Sequence, residues 1–362
     1  MFSLEGGSLL GKGTYGCVFD PPLRCRHGSS SKQEKGQVGK ITLPQDYEVE
    51  IAAARALGPL GVPYFLLANE ESACQPSARQ KEKELTQCTP LQTNPLSTMV
   101  HFTLPYGGKT FFSRLSDADF LHQNEFSFFK ILLQMLEAGS YLIAAKFCHY
   151  DISLMNVLVD KKANIGIIDF GMSFSAEDIT EETVRNRLKV FNPASLAEVP
   201  EMTMVSGIVS NAGPVHELID MIFEEKNVFA VAERVLGLNL AVQKREFAEF
   251  LETSNAIRNR DFATLWKLYW PTFDSWGIGM CLTYLLRRLL FQKSFVESAE
   301  WKQRGDVILY LLRGMLQANP RKRLDAVEAL KLYDPENVWF EKYGTSWISS
   351  RVEQRRAVSA SV

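Results

Sequence analysis

The chain has 362 residues, of which 46% are hydrophobic and 23% charged, with a formal net charge of −2 and a pI of about 6.3. This length supports one large domain or two units with well-developed cores, and the composition is that of an ordinary globular protein. The near-neutral charge argues against a general affinity for nucleic acid or anionic membranes, and no run of about twenty apolar residues predicts membrane insertion.

Nothing at the start of the sequence resembles a targeting segment. MFSLEGG lacks the basic and then apolar pattern of a secretory signal, so we expect a soluble, cytoplasmic protein. The six cysteines contain no C-x-x-C pair, and reduced thiols fit that compartment. The alternative is a zinc site formed by Cys25, His27, Cys74 and Cys88.

Residues 1–106 predict strands and one helix. Strand-like segments are SLLGKG (8–13), CVFD (17–20), QVGKITL (37–43), YFLLA (64–68) and STMVHFTL (97–104). The alanine-rich segment DYEVEIAAARAL (46–57) predicts a helix that ends at Gly58-Pro59. Two polar tracts, 26–37 and 69–95, predict an extended hairpin and a mobile loop.

The stretch GKGTYGCVF (11–19) places three glycines in the pattern G-x-G-x-x-G. A P-loop needs Ser or Thr where Gly13 stands, so that site is excluded. A dinucleotide-binding turn needs a helix directly after the glycines, whereas β-favouring residues and two prolines follow here. The glycines therefore join two strands, either as a plain turn or as a hairpin that folds closely over a triphosphate without an obstructing Cβ.

From residue 109 the pattern becomes helical. The segment 126–147 carries apolar residues at helical spacing over about six turns. It is followed by HYDISLMNVLVD (149–160) and NIGIIDFGMSF (164–174). Asp151 and Asn156 are separated by four residues, and Asp169 begins the sequence Asp-Phe-Gly. Each motif alone fits an ordinary turn, because Asp, Asn and Gly all favour turns.

The order of these motifs, with Lys40 on a predicted strand between them, resembles the signature of eukaryotic-type protein kinases. The resemblance implies an α+β, bilobal protein-kinase-like fold. A small β-rich N-lobe with one main helix would occupy residues 1–106, and a larger, mainly helical C-lobe residues 107–350. Residues 351–362 read as a disordered tail.

The resemblance also implies roles for individual residues, with ATP and Mg²⁺ as cofactors. Lys40 would contact the α and β phosphates, held by Glu50 or alternatively by Glu48. Asp151 would orient the acceptor hydroxyl, with Asn156 and Asp169 as oxygen ligands of Mg²⁺. The glycine loop would contact the phosphates through Gly11, Gly13 and Gly16. Val18, Val38 and Leu158 would pack against the two faces of the adenine; the alternative is that these three are ordinary core residues.

Two downstream matches extend the resemblance. In FDSWGIG, Asp274 would bind the backbone of the catalytic loop, and Arg323 would pair with Glu201 at the end of the activation segment. Small-molecule phosphotransferases usually lack this second half. The 72 residues between Glu201 and Asp274 predict a helical insertion at about 202–270. The sequences GTYGCVFDPPLRC and HYDIS, taken together with this insertion, resemble those of the protein kinases of large cytoplasmic DNA viruses. This resemblance would place the protein in the host cytoplasm or in the virion.

The sequence therefore predicts ATP-dependent phosphoryl transfer to Ser/Thr hydroxyls of protein substrates and no nucleic-acid partner. It predicts no particular oligomeric state. The alternatives are a small-molecule or lipid phosphotransferase and a weakly active scaffold. Ser153 stands where serine/threonine kinases carry a lysine, and Met155 where tyrosine kinases carry an arginine, so the acceptor class is open.

Tyr150 precedes Asp151, at the position where kinases switched by phosphorylation usually carry an arginine. A tyrosine cannot form charge-assisted hydrogen bonds to a new phosphate. We therefore expect activity without phosphorylation of the segment from Asp169 to Glu201, which would be ordered by packing against the insertion. The alternative is that Arg185 or Arg187 takes over the switch.

Overall fold

The first part of the chain contains a five-stranded antiparallel sheet. The computed structural model describes residues 7–13, 16–26, 36–78, 80, 82–123 and 126–360. They divide into a first unit, the described residues up to 108 together with 166–173, and a second unit, 109–165 together with 174 onward. This mixed helix and strand content agrees with the predicted α+β class.

The sheet of the first unit has the strand order β1-β2-β3-β5-β4. Its strands are β1 (Ser8–Lys12), β2 (Gly16–Asp20), β3 (Gln37–Thr42), β4 (Asn69–Cys74) and β5 (Val100–Pro105). Lys40 lies in the central strand, opposite Val18 of β2 and Phe102 of β5. Hydrogen bonding on both sides fixes the backbone of Lys40, and the pleat then determines to which face its side chain points.

Helix α1 (Pro44–Leu57) begins two residues earlier than predicted, because proline is well suited to the first turn of a helix. Ile51 and Ala53 of this helix are buried, and Ile51 packs with Val38 and Phe102 in one core cluster. The first turn of α1 therefore lies only four residues after Lys40, which shortens the connection between strand and helix.

The polar tract 69–95, predicted as a mobile loop, contains β4, helix α2 (Glu82–Leu85) and a 3₁₀ turn at Thr89–Gln92 in its described residues. Conversely, YFLLA forms no strand and makes only a bridge between Phe65 and Ile167. The strand NEESAC has little β-favouring sequence, and it forms because β5 offers an edge for pairing. Most of the tract 26–37 lies outside the described residues.

The expectation of reduced thiols is wrong for four of the cysteines. Cys17 is bonded to Cys88 and Cys25 to Cys74. Both bonds fasten the tract 69–95 to the segment around β2, and Cys17 and Cys88 lie in a core cluster with Phe19 and Ile41. The four-ligand zinc site is not formed, since Cys25 and Cys88 belong to different disulfides and His27 lies outside the described residues.

The second unit is mainly helical, with short strands near its first helices. The strands after the sheet are β6 (Lys109–Thr110), β7 (Phe147–Cys148), β8 (Val157–Val159), β9 (Ile165–Ile167) and β10 (Phe174–Ser175). β6 pairs with β8, and β7 with β10. The helices up to the predicted insertion are α3 (Phe111–Leu115), α4 (Ala118–Leu121), α5 (Phe128–Ala144), α6 (Glu181–Arg187) and α7 (Pro200–Val209).

The segment 202–270, predicted to be a helical insertion, contains the end of α7 and five further helices, and its status as an insertion stays a prediction. Its further helices are α8 (Val215–Glu225), α9 (Val228–Leu236), α10 (Leu240–Thr253), α11 (Asn255–Arg258) and α12 (Phe262–Tyr269). The helices that follow are α13 (Phe273–Leu289), α14 (Lys293–Val296), α15 (Ala299–Met315), α16 (Ala326–Tyr333), α17 (Val338–Tyr343) and α18 (Ser346–Ala360). Among the described residues, no helix is both long and apolar enough to cross a membrane.

The segment from 351, predicted as a disordered tail, continues helix α18 as far as Ala360. Arg351 is buried, and its Nε lies 3.1 Å from Oδ2 of Asp325. This ion pair anchors the helix to the N-terminus of α16, which is a long-range contact that the polar composition of the segment does not reveal.

Candidate active site

Lys40 lies between two carboxylates of the first unit. Its Nζ is 2.5 Å from Oε1 of Glu50, on α1, and 2.7 Å from Oδ1 of Asp169. Burial by itself would lower the pKa of Lys40, but the charges and hydrogen bonds of Glu50 and Asp169 outweigh it and hold the pKa above its ordinary value. The lysine is therefore a fixed positive charge. The structure places Glu50, not Glu48, beside it.

Asp169 is held in a left-handed backbone conformation, with φ of 64°. This conformation is uncommon for residues other than glycine, although Asp and Asn tolerate it best. The next residue, Phe170, is buried edge-to-face against Phe65, with ring centroids 6.2 Å apart. The buried ring anchors this turn, while the Asp169 side chain keeps about a third of its surface exposed.

Gly16 has a steric role beside Lys40. A Cβ on Gly16 would lie 2.5 Å from the carbonyl oxygen of Ile41 and 3.2 Å from Cε of Lys40. Among the described residues, a Cβ on Gly11 would meet nothing within 4 Å, and a Cβ on Gly13 would lie 3.8 Å from its nearest atom, the carbonyl oxygen of Gly16. Contact of these two glycines with a phosphate group stays a prediction.

The residues predicted to flank the adenine are placed differently. Val18, on β2, is half-buried, whereas Val38 is 4% exposed and belongs to a core cluster of the first unit. Leu158, on β8 of the second unit, is half-buried. Their contact with a nucleotide stays a prediction.

In the second unit, Asp151 and Asn156 form one hydrogen-bonded group. Nδ2 of Asn156 donates to Oδ2 of Asp151 at 2.8 Å and to its carbonyl oxygen at 3.0 Å. These bonds orient the amide so that its oxygen is the atom available as a metal ligand. The backbone N–H of Asp151 donates to Nδ1 of His149 at 3.2 Å.

Asp274 binds the backbone of the loop that contains Asp151, as predicted. Its two carboxylate oxygens each accept a backbone hydrogen bond of 2.8 Å, from His149 and from Tyr150. Burial raises the pKa of Asp274, against the lowering effect of these bonds. Gly277, which matched no predicted role, lets α13 approach the loop, since a Cβ there would lie 2.3 Å from the carbonyl oxygen of Ile152.

Tyr150 is buried in an aromatic cluster. Its ring centroid lies 4.8 Å from that of Trp266, 5.6 Å from Phe273 and 5.7 Å from Phe174. Burial raises the pKa of its hydroxyl well above the ordinary value. Tyr150 therefore packs as an apolar residue, and it has no positive charge with which to bind the phosphate of a phosphorylated residue.

The end of the segment before α7 is anchored by a buried lysine of the insertion. Lys226 Nζ donates to the carbonyl oxygens of Ser195 and of Glu198, the latter at 3.1 Å, and to Oγ1 of Thr203 at 3.2 Å. Burial lowers the pKa of Lys226 to about 8. This residue was not predicted from the sequence, because a lysine after two glutamates at a helix end looks like an ordinary solvated position.

The predicted pair of Glu201 and Arg323 is present and fully buried. Both guanidinium NH groups donate to the carboxylate, at 2.8 and 2.7 Å, and neither side chain is exposed to solvent. Arg323 also donates to the carbonyl oxygens of Gln317 and Ala318. It thereby connects α7 with the turn that precedes α16.

Lys189 is a second residue that sequence reasoning missed. Its Nζ lies 2.6 Å from Oδ1 of Asp151, and both side chains are mostly buried. Lys189 belongs to an irregular stretch between α6 and α7 and matches no motif. Its position near Asp151, 38 residues away, is visible only in the tertiary structure.

Comparisons with known proteins find similarity to protein kinases. The chain matches the family "Protein kinase domain" over residues 82–191, which contain Asp151, Asn156 and Asp169. A curated relative, a serine/threonine-protein kinase of Kluyveromyces lactis, is 24% identical over 212 residues, equal to 56% of this chain. The chain spans 29% of the length of that relative. Together these similarities support a protein kinase of the eukaryotic type.

Proposed function

We propose that this chain transfers the γ-phosphoryl group of ATP to Ser or Thr hydroxyls of protein substrates. The observation that carries the proposal is Lys40 between Glu50 and Asp169, a strand lysine held by a helix glutamate and by a residue 129 positions further on. Such a buried, permanently charged lysine fits the binding of phosphate oxygens. Its two carboxylate partners compensate the cost of burying that charge.

The donor atoms fit Mg²⁺. Asp169 offers a carboxylate that is about a third exposed, and Asn156 offers an amide oxygen, both of them hard oxygen ligands that suit this ion. When bound, Mg²⁺ would neutralise charge on the phosphates. Asp151 would accept the proton of the acceptor hydroxyl, and Asn156 would hold the aspartate in place.

The anchoring of the second unit favours a protein substrate over a small molecule. Asp274 under the catalytic loop and Arg323 with Glu201 belong to the part that the small phosphotransferases usually lack. The two alternatives, a small-molecule or lipid phosphotransferase and a weakly active scaffold, differ from the proposal in measurable products. The resemblance to viral kinases and a cytoplasmic location stay predictions.

Purified protein incubated with labelled ATP, Mg²⁺, casein, histone and basic protein should phosphorylate at least one of them, on Ser or Thr by phosphoamino-acid analysis. In Asp151→Asn the rate should fall by at least about 100-fold, ~2.7 kcal/mol, because the substrate hydroxyl loses the carboxylate that takes its proton. ATP affinity should change little. Labelling of tyrosine alone would correct the acceptor class, and no labelling of any protein would favour the alternatives.

Activity should not depend on phosphorylation of the segment 169–201. Protein treated with phosphatase, and shown by mass spectrometry to carry no phosphate, should keep its rate within about twofold, because Lys226 already anchors this segment. Phosphatase is preferable to alanine substitution, since the Thr180 hydroxyl caps α6 and its loss would itself destabilise the helix. A loss of more than about tenfold, ~1.4 kcal/mol, would show that phosphorylation is required.

A further inference from the structure

The catalytic loop lacks the cation that related kinases place two residues after the aspartate. Ser153 occupies that position, and its hydroxyl accepts backbone hydrogen bonds from Met155 and Asn156, both of 3.3 Å. Ser153 thus caps the turn that carries Asn156, and it brings no charge to the reaction. Phosphoryl transfer develops negative charge on the transferred oxygens, and a preorganised cation is an effective way to stabilise it.

Lys189 brings a cation to this place from a different part of the chain. It contacts Oδ1 of Asp151, while Asn156 contacts Oδ2, so the two side chains hold the carboxylate from both sides. The Lys189 side chain is 22% exposed, so its charge is only partly screened by water. Its Nζ also lies 5.5 Å from the centre of the Tyr150 ring, which is within range of a cation–π attraction.

Lys189 also interacts electrostatically with a second carboxylate and with another lysine. The charge of Lys189 acts on the buried Glu198, whose carboxyl accepts a hydrogen bond from Thr203 at 2.9 Å, and on Lys226. Lys226 is engaged by Ser195, Glu198 and Thr203, away from Asp151. Of these two lysines, Lys189 is therefore the one whose charge stands beside the catalytic aspartate.

We propose that Lys189 is a catalytic residue that replaces the missing loop lysine and stabilises the transferred phosphoryl group. In the transfer step, the bond between acceptor oxygen and phosphorus forms as the bond from γ-phosphorus to the bridging oxygen breaks. The hydroxyl proton passes to Asp151, and ADP leaves with the electron pair of the broken bond. Lys189 keeps its proton throughout. This inference rests on the proposed kinase function.

The test moves the lysine back to the loop. Lys189→Met keeps the apolar stem without the charge and should lower kcat at least tenfold, about 1.4 kcal/mol. Adding Ser153→Lys to this variant should recover at least fivefold of the lost rate, because a cation returns to the same region. Lys189→Arg should retain more activity than Lys189→Met. A matched control is Lys244→Met, which removes a partly exposed lysine paired with Asp220 on α8 and should leave the rate unchanged.

A second readout is nucleotide binding by calorimetry. The dissociation constants of ATP and ADP should stay within threefold of wild type in Lys189→Met, since Lys40 is assigned to the ground-state phosphates. A tenfold weakening would place Lys189 in nucleotide binding and overturn the proposal. Circular dichroism and the melting temperature of each variant show whether it is folded, and Lys189→Arg provides the comparison should Lys189→Met fold poorly.

Three kinetic results would also overturn the inference. The first is a rate of Lys189→Met within threefold of wild type. The second is a rate of Lys189→Met above that of wild type, which would mean that Lys189 inhibits the reaction by holding Asp151. The third is a double variant that is no faster than Lys189→Met. Each of these leaves the kinase function intact, because wild type remains active. A wild-type protein that transfers no phosphate to any acceptor would instead refute the proposed function itself, and with it the role of Lys189.

Discussion

Asp169→Asn is expected to reduce phosphoryl transfer at least about 100-fold, ~2.7 kcal/mol, while leaving the fold intact. An amide oxygen carries no negative charge, so it binds a divalent cation more weakly than the carboxylate that it replaces. The backbone should not change, because asparagine tolerates the left-handed conformation at this position and can still accept a hydrogen bond from Lys40. The initial rate at saturating Mg²⁺ measures the effect.

The control for this variant is Asp306→Asn, which makes the same chemical change at an exposed position on α15. It should keep the wild-type rate. Circular dichroism and the melting temperature of both variants should match those of wild type. If Asp169→Asn retained more than a tenth of the wild-type rate, Asp169 would not be a metal ligand of the reaction.

Glu201→Gln is expected to lower the free energy of unfolding by about 3–5 kcal/mol, because it leaves the charge of Arg323 buried without a compensating anion. Urea denaturation followed by circular dichroism measures this change. Glu177→Gln breaks a pair with Lys146 on the surface, where both side chains are more than 60% exposed, and it should leave the denaturation midpoint unchanged.

A double variant separates the buried ion pair from a general packing defect. Glu201→Leu with Arg323→Met removes both charges, and it should be less destabilised than Arg323→Met alone, which leaves Glu201 buried and uncompensated. The double variant still loses the bonds of Arg323 to the carbonyl oxygens of Gln317 and Ala318. Additive effects of the two substitutions would show that the charges are not coupled.

Motifs with short spacing were accessible from the sequence. The glycine hairpin, Lys40 on a strand, and the group of Asp151 and Asn156 depend on residues a few positions apart, and turn chemistry and alternating hydrophobicity determine their backbone. The sequence analysis also assigned Asp274 to the backbone of the catalytic loop and Arg323 to Glu201, and both contacts are present. They lie far from their partners in sequence, and here the family resemblance supplied what local pattern alone does not contain.

The tertiary structure decided the features that depend on pairing between distant segments. NEESAC becomes a strand because β5 offers an edge, and the disulfide of Cys17 and Cys88 joins residues 71 positions apart. The sequence favoured Glu50 with Glu48 as the alternative, and the docking of α1 on the sheet places Glu50 beside Lys40. Lys189 and Lys226 are ordinary polar residues by sequence, and they acquire partners through long-range contacts, to which neither propensity nor motif spacing responds.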